Sequence, residues 1–180
     1  PGGPTSLQES HYRFNDAAGG GSLLGLELTQ TVLQWNYCYN EDLMYVILEI
    51  KNNSDSDYHD FAFGLYVDLD VGANENPGEN GQTNDLVGSD SSENLAWIYD
   101  ADGYDPGWKA ECGIMGTKFI ETPQGIGMTS FRTGDWALVP EDDPGKYTMI
   151  DGTQFDGTIP PADQYYVQCT RGIDLLMDST

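Results

Sequence analysis

Residues 61–70, FAFGLYVDLD, alternate cleanly: Phe61, Phe63, Leu65, Val67 and Leu69 fall on one side, and Ala62, Gly64, Tyr66, Asp68 and Asp70 on the other. A period of two predicts a strand with one buried face. The same reading predicts strands at SLLGLELTQ (22–30), TVLQWNYCY (31–39) and DLMYVILEIKN (42–52), where β-branched and aromatic residues stand between polar breaks. In the last of these, Met44, Val46, Leu48 and Ile50 share one face, and Leu43, Tyr45 and Ile47 the other. That pattern predicts a central strand covered on both sides. Shorter strands are expected at 94–100, 112–121 and 128–133. The segment PADQYYVQCTRGIDLL (161–176) spaces Tyr165, Cys169 and Ile173 by four, with Pro before and Gly172 near its end, and predicts one short helix.

Between these runs lie turn formers: NNSDSDYHD (52–60), DADGYDPGW, and EDDPGKYTMIDGTQFDGTIPP. Many short strands joined by turns predict an all-β fold. The expected form is an antiparallel β-sandwich, jelly-roll-like or Ig-like, with long acidic Gly/Asn-rich loops and one short helix near the C-terminus. Residues 1–21 are expected to be an N-terminal extension and 22–180 a single domain. The opening PGGPTSLQES has neither an initiator Met nor the regions of a signal peptide, so a mature or excised piece is expected.

Charge narrows the partners. Thirty acids against seven bases give a net charge of -23, which argues against nucleic acid, whose phosphates need Lys and Arg, and against anionic membrane surfaces. No run of 18 apolar residues occurs, so membrane insertion is not expected. Aspartate outnumbers glutamate two to one. With the abundant glycine, this places the acid in loops rather than helices. Cys38, Cys112 and Cys169 have no zinc-motif spacing. They are expected as buried free thiols or as one disulfide plus a free thiol.

The alternation in 61–70 ends in acid, and there the candidate chemistry begins. Asp68 and Asp70 project on one side of the strand, and two carboxylates so close repel unless a cation or a proton intervenes. The loop that follows brings Asn74, Asn76, Asn80, Asn84, Asp85 and Asp90, all hard oxygen donors suited to Ca²⁺, which takes six to eight such ligands. The stretch is not an EF-hand: DLDVGANENPGE lacks the fifth-position ligand and the glycine at six. DADGYD, with Asp100, Asp102 and Asp105, resembles the start of a second calcium loop. The plain alternative is a solvated acidic surface.

Catalysis finds less support. No GxSxG, HExxH or P-loop occurs. His11 and His59 lie in polar, turn-like surroundings, and a carboxylate pair in a field of acid is a poor proton donor. Of the tryptophans, Trp35 and Trp97 are expected in the core. Trp108 and Trp136, in or beside loops, are the candidates for stacking against an extracellular glycan.

The motifs also stand in a recognisable order: LLGLELTQTVLQWNY, VILEIKNNS, FGLYVDLDVG, NDLVGSD, NLAWIYDADG, KFIETP and GMTSF. This order resembles the accessory β-domain of large secreted proteins of Bacteroidetes and related bacteria, which often carry a signal for type IX secretion. The family pattern falls here on Asp68, Asp70 and Gly72, then Asn84, Asp85, Gly88 and Asp90, then Asn94, Tyr99 and Asp102, over roughly residues 22–175. YYVQCTRGI resembles the family's short helix. The loop ANENPGENGQT is longer than the family's, and DLLMDST ends where the family tends to continue into a strand and a sorting signal. The resemblance implies a secreted or cell-surface setting. With the acidic loops, it gives the expected role: a noncatalytic, calcium-stabilised structural or adhesive module. Its partners are other domains of its parent chain or other copies of itself. A carbohydrate-binding module is the alternative.

Overall fold

The computed structural model describes residues 6–18, 23–72, 81–105, 109–152, 154–157 and 159–178. Among the described residues the protein is mostly β, with antiparallel sheets and one short helix. The chain forms two compact units, Pro1–His59 with Asp174–Thr180, and Asp60–Ile173.

The first unit holds an antiparallel meander of β1 (Gln8–Asn15), β2 (Leu26–Gln34) and β3 (Met44–Asn52), in that order across the sheet. β1 lies within the residues expected to be an extension. Pairing it with β2 places Tyr12, Phe14, Leu28, Val32, Met44, Val46, Leu48 and Ile50 on one side. The other side carries Glu9, His11, Arg13, Glu27, Thr29, Glu49 and Lys51. The shared face of Met44, Val46, Leu48 and Ile50 is therefore as expected, but β3 is an edge strand, not a central one. Its Met44, Tyr45, Val46 and Ile47 are exposed.

In the second unit, β4 (Tyr58–Val67) enters a sheet of order β10-β11-β4, with β10 at Ser130–Asp135 and β11 at Gln164–Leu175. A second sheet has the order β5-β6-β9, from Asp85–Asp90, Leu95–Asp100 and Ile114–Lys118. Side chains of both sheets meet in one cluster: Val67, Phe131 and Tyr166 from the first, Val87, Ala96 and Ile98 from the second. Polar side chains join them as well. Thr117 of β9 meets the Tyr166 hydroxyl at 2.8 Å and donates to Gln168 Oε1 at 2.8 Å. A short pair, β7 (Tyr104–Asp105) and β8 (Ala110–Glu111), follows β6.

β11 replaces the helix expected at 161–176. Tyr166, Gln168 and Thr170 face the shared cluster, while Tyr165 and Val167 pack with Met149 and Ile150 on the opposite face. Both faces are covered, so Gln164 to Thr170 are all buried. A spacing of four fits period two as well as period 3.6, and aromatic and β-branched content favours the strand. The helix lies instead in the turn-rich segment, as α1 (Asp143–Ile150). There Asp142 caps the first turn by accepting from the Gly145 N–H at 2.9 Å, with Pro144 in that turn.

Candidate metal centre

The alternation of β4 continues past the strand's end: Val67 is buried, Asp68 exposed, Leu69 half-buried, Asp70 exposed. Both carboxylates thus turn to the solvent side, as their spacing predicts. Asp163 joins them, with carboxylate oxygens of Asp68, Asp70 and Asp163 all within 4.8 Å of one another. Oxygens bound to one Ca²⁺ at about 2.3–2.6 Å lie within roughly 5 Å of each other, so the three match a single ion's shell. Partial desolvation, then the charges of Asp163 and Asp70, raise the Asp68 carboxyl above the usual carboxylate range. Tyr66 stacks on Tyr165 beside them, ring centroids 4.9 Å apart, and burial with nearby charge pushes its phenol well up.

Asp163 arrives from far along the chain. Ala162 donates its N–H to the Asp85 carbonyl at 3.3 Å, forming an isolated antiparallel bridge. Gln164 then accepts from the Val87 N–H at 3.1 Å and donates to the Pro160 carbonyl at 2.7 Å. The segment before β11 is thereby held against the start of β5. Nothing in PADQ marks its aspartate as a partner of Asp68. The contact is fixed by strand pairing more than 70 residues away.

Behind this trio the acid is buried. Asp85 and Asp100 face each other directly across β5 and β6, on the side that carries Val87, Ala96 and Ile98 into the core. They are 1% and 5% exposed, and Asp105 on β7 is 1% exposed. Asp85 Oδ2 accepts from the Val71 N–H at 3.2 Å, while its Oδ1 is buried with no hydrogen-bond partner among the described residues. Burial, and then the charges of Asp100, Asp70 and Asp163, push the Asp85 carboxyl up to about 7. Asp100 Oδ1 accepts from the N–H groups of Asp102 and Gly103 at 2.9 and 2.7 Å, closing the turn.

Gly72 lets the chain approach. Its φ of +104° is open to glycine, and a Cβ there would sit 3.5 Å from Oδ2 of both Asp100 and Asp105 and 3.9 Å from Cys112 Sγ. The Cys112 thiol is pushed up by burial and by Asp100, Asp105, Asp102 and Asp85. All three cysteines are free: Cys38 exposed, Cys112 half-buried, Cys169 buried.

Of the residues singled out in the sequence, Asp68, Asp70, Asp85 and Asp100 therefore share one region. Asn84 adjoins it through its backbone, the carbonyl accepting from the Ala101 N–H at 3.1 Å. Asp102 is exposed and spends Oδ1 on the Tyr104 N–H at 3.0 Å. Asp90 departs from expectation. It ends β5, about 17 Å along the strand from Asp85, and its Oδ1 accepts from the Ser92 N–H and hydroxyl at 2.9 and 2.7 Å, capping the hairpin turn. Asn74, Asn76, Asn80 and Trp108 lie outside the described residues.

Trp136 is 46% exposed on a short turn, with Leu138 at 80%. Among the described residues it joins no ring pair. Trp35 and Trp97 are half-buried rather than core. Trp35 meets Tyr45 edge-on at 5.4 Å, and Trp97 covers Gly88, where a Cβ would come within 2.7 Å of the indole. Comparison with protein-family models, curated proteins and solved structures returns no match.

Proposed function

We propose that the protein is a noncatalytic, calcium-stabilised structural or adhesive module of a secreted or cell-surface bacterial protein. In this reading the second unit is a β-sandwich whose strand ends are tied by a cation. The observation that carries it is the convergence of Asp68, Asp70 and Asp163 within 4.8 Å. Like charges at that distance repel, and a divalent ion turns the repulsion into cross-linking of β4 to the segment before β11. Attachment to other domains or other copies has support in the first unit. There β3 presents an exposed edge with Met44, Val46 and Ile47, a template for strand addition. The secreted setting rests on the ordered motifs that resemble the accessory β-domain of type IX-secreted proteins.

Thermal unfolding after chelation, then with millimolar Ca²⁺, Mg²⁺ or matched NaCl, tests the reading. Stabilisation by Ca²⁺ alone, lost in Asp68→Asn/Asp70→Asn, supports it. Equal response to every salt removes the metal and leaves a solvated acidic surface. The exposed Trp136 favours a second reading, a carbohydrate-binding module. It would show as glycan binding abolished by Trp136→Ala.

A further inference from the structure

The stretch from the end of β2 to the start of β3 reads QWNYCYNEDL (34–43), with three aromatics and three amides. It is too polar for a core and too aromatic for a plain turn. Two backbone bonds fold it back: the Asn40 N–H to the Tyr37 carbonyl at 2.8 Å, and the Leu43 N–H to the Asn40 carbonyl at 3.1 Å. At its root the Leu7 N–H donates to the Gln34 carbonyl at 3.1 Å, next to the β1–β2 pair in which Gln8 stands opposite Gln34. Tyr45 braces Trp35 edge-on. A groove of about 240 Å³ opens at this end of the sheet, lined by Leu7, Gln8, Gln34, Trp35, Asn36 and Glu41.

Leu7 and Trp35 give the groove an apolar wall. Among the described residues, the side chains of Gln8, Gln34, Asn36 and Glu41 form no hydrogen bond or ion pair with the protein. Three amides and a carboxylate therefore keep their donors and acceptors for a ligand or for water. No Lys or Arg lines the groove, so an anion finds no counter-charge there, and the chain's charge of -23 repels one. An apolar wall rimmed by amides matches a pyranose ring, which has an apolar C–H face and rim hydroxyls that both donate and accept. The volume is below the roughly 300–1,000 Å³ of drug-sized sites, so it suits the end of a chain. A longer chain has somewhere to continue. The turn from Asn36 to Glu41 bears Tyr37 and Tyr39, stacked 8° from parallel with centroids 5.6 Å apart, and 54% and 77% exposed. Aromatics so exposed and so ordered suit a binding surface. We propose that this groove, with Tyr37 and Tyr39 beside it, binds the end of a neutral, gluco-configured glycan. One ring rests against Trp35, with its hydroxyls on Gln8, Gln34, Asn36 and Glu41. The site needs neither the cation nor Trp136, so it stands independently of both readings above.

The test is calorimetric and saturation-transfer NMR titration of the full chain, in EDTA, with cellohexaose, maltohexaose and chitohexaose, and with heparin as the anionic comparison. At least one neutral hexasaccharide is expected to bind, and heparin is not. Asn36→Ala and Gln8→Ala remove exposed side chains that hold nothing else among the described residues. Each should weaken binding about tenfold, as for one lost hydrogen bond, with Tm unchanged. Trp136→Ala should leave the affinity as in wild type. No binding of any of the three at millimolar concentration overturns the proposal, and so does binding of heparin alone. Binding that Trp136→Ala abolishes and Asn36→Ala leaves intact also overturns it, and keeps the carbohydrate reading centred on Trp136. Because Ca²⁺ is absent throughout, none of these outcomes touches the cation-binding reading.

Discussion

Asp68 and Asp70 stand in solvent past the end of β4, while Asp85 and Asp100 face each other inside the second unit at 1% and 5% exposure. The residue type is the same and both pairs stand at or just beyond strand termini, but the physical demands differ. Water screens the exposed pair, so a solvated carboxylate there needs no partner. The buried pair sits where an uncompensated charge strengthens every repulsion around it. Convergence of oxygens, rather than burial, is the evidence for a metal, and among the described residues only the exposed group has it.

Four experiments sharpen or break that contrast. The largest effect is expected from Ca²⁺ itself. At a free concentration near 100 times Kd, one site stabilises by about 2.7 kcal/mol, which for a chain of this size is roughly 5–10 °C in Tm. Asp68→Asn/Asp70→Asn should remove most of that shift, while Asp85→Asn, outside the converging trio, should remove less. If the two remove it equally, the distinction between exposed and buried acid collapses.

The pH response comes next. The Asp85 carboxyl, near 7 when folded, binds its proton more tightly than in the unfolded chain. Its contribution is therefore full at low pH and disappears as the pH rises through 7. Calcium-free protein should lose several degrees of Tm between pH 5 and 8, and Asp85→Asn should flatten that slope. His59, raised by its hydrogen bond to Asp174, acts in the same direction, so His59→Gln is the control. In saturating Ca²⁺ the trend opposes this, because metal binding needs ionised carboxylates, and the calcium-induced shift should grow with pH.

Asp90→Ala should lower the unfolding midpoint modestly by releasing the turn after β5, with the Ca²⁺ shift unchanged, measured by denaturant unfolding with and without the ion. The smallest effect is expected of Asp68→Asn in EDTA, within about 0.5 kcal/mol of wild type, as for an ordinary surface substitution. A loss several times larger would mean that Asp68 holds the fold without any cation.

The exposed half of the site was legible in the sequence. Two aspartates two residues apart at the end of an alternating run point the same way whatever surrounds them, because side-chain direction in an extended chain is local. The same locality misled the reading of 161–176. Tyr165, Cys169 and Ile173 share a side in a helix and in a strand alike, and only coverage of both faces, by α1 and by the β5-β6-β9 sheet, marks the segment as β11. Asp90 is near Asp85 in sequence, yet an extended strand separates them. Asp163 went unnoticed because its place depends on the bridge from Ala162 to Asp85.

The sequence alone determined a β-rich chain, one apolar face on β4, free thiols as one of two readings, and carboxylates at the ends of β4 and β6. Only the tertiary structure decided which of those carboxylates are buried, that Asp85 opposes Asp100, and that Asp163 closes the outer trio. Direction along a strand is set by neighbouring residues. Burial and convergence are set by partners in the sheet, whose distance along the chain no local pattern encodes.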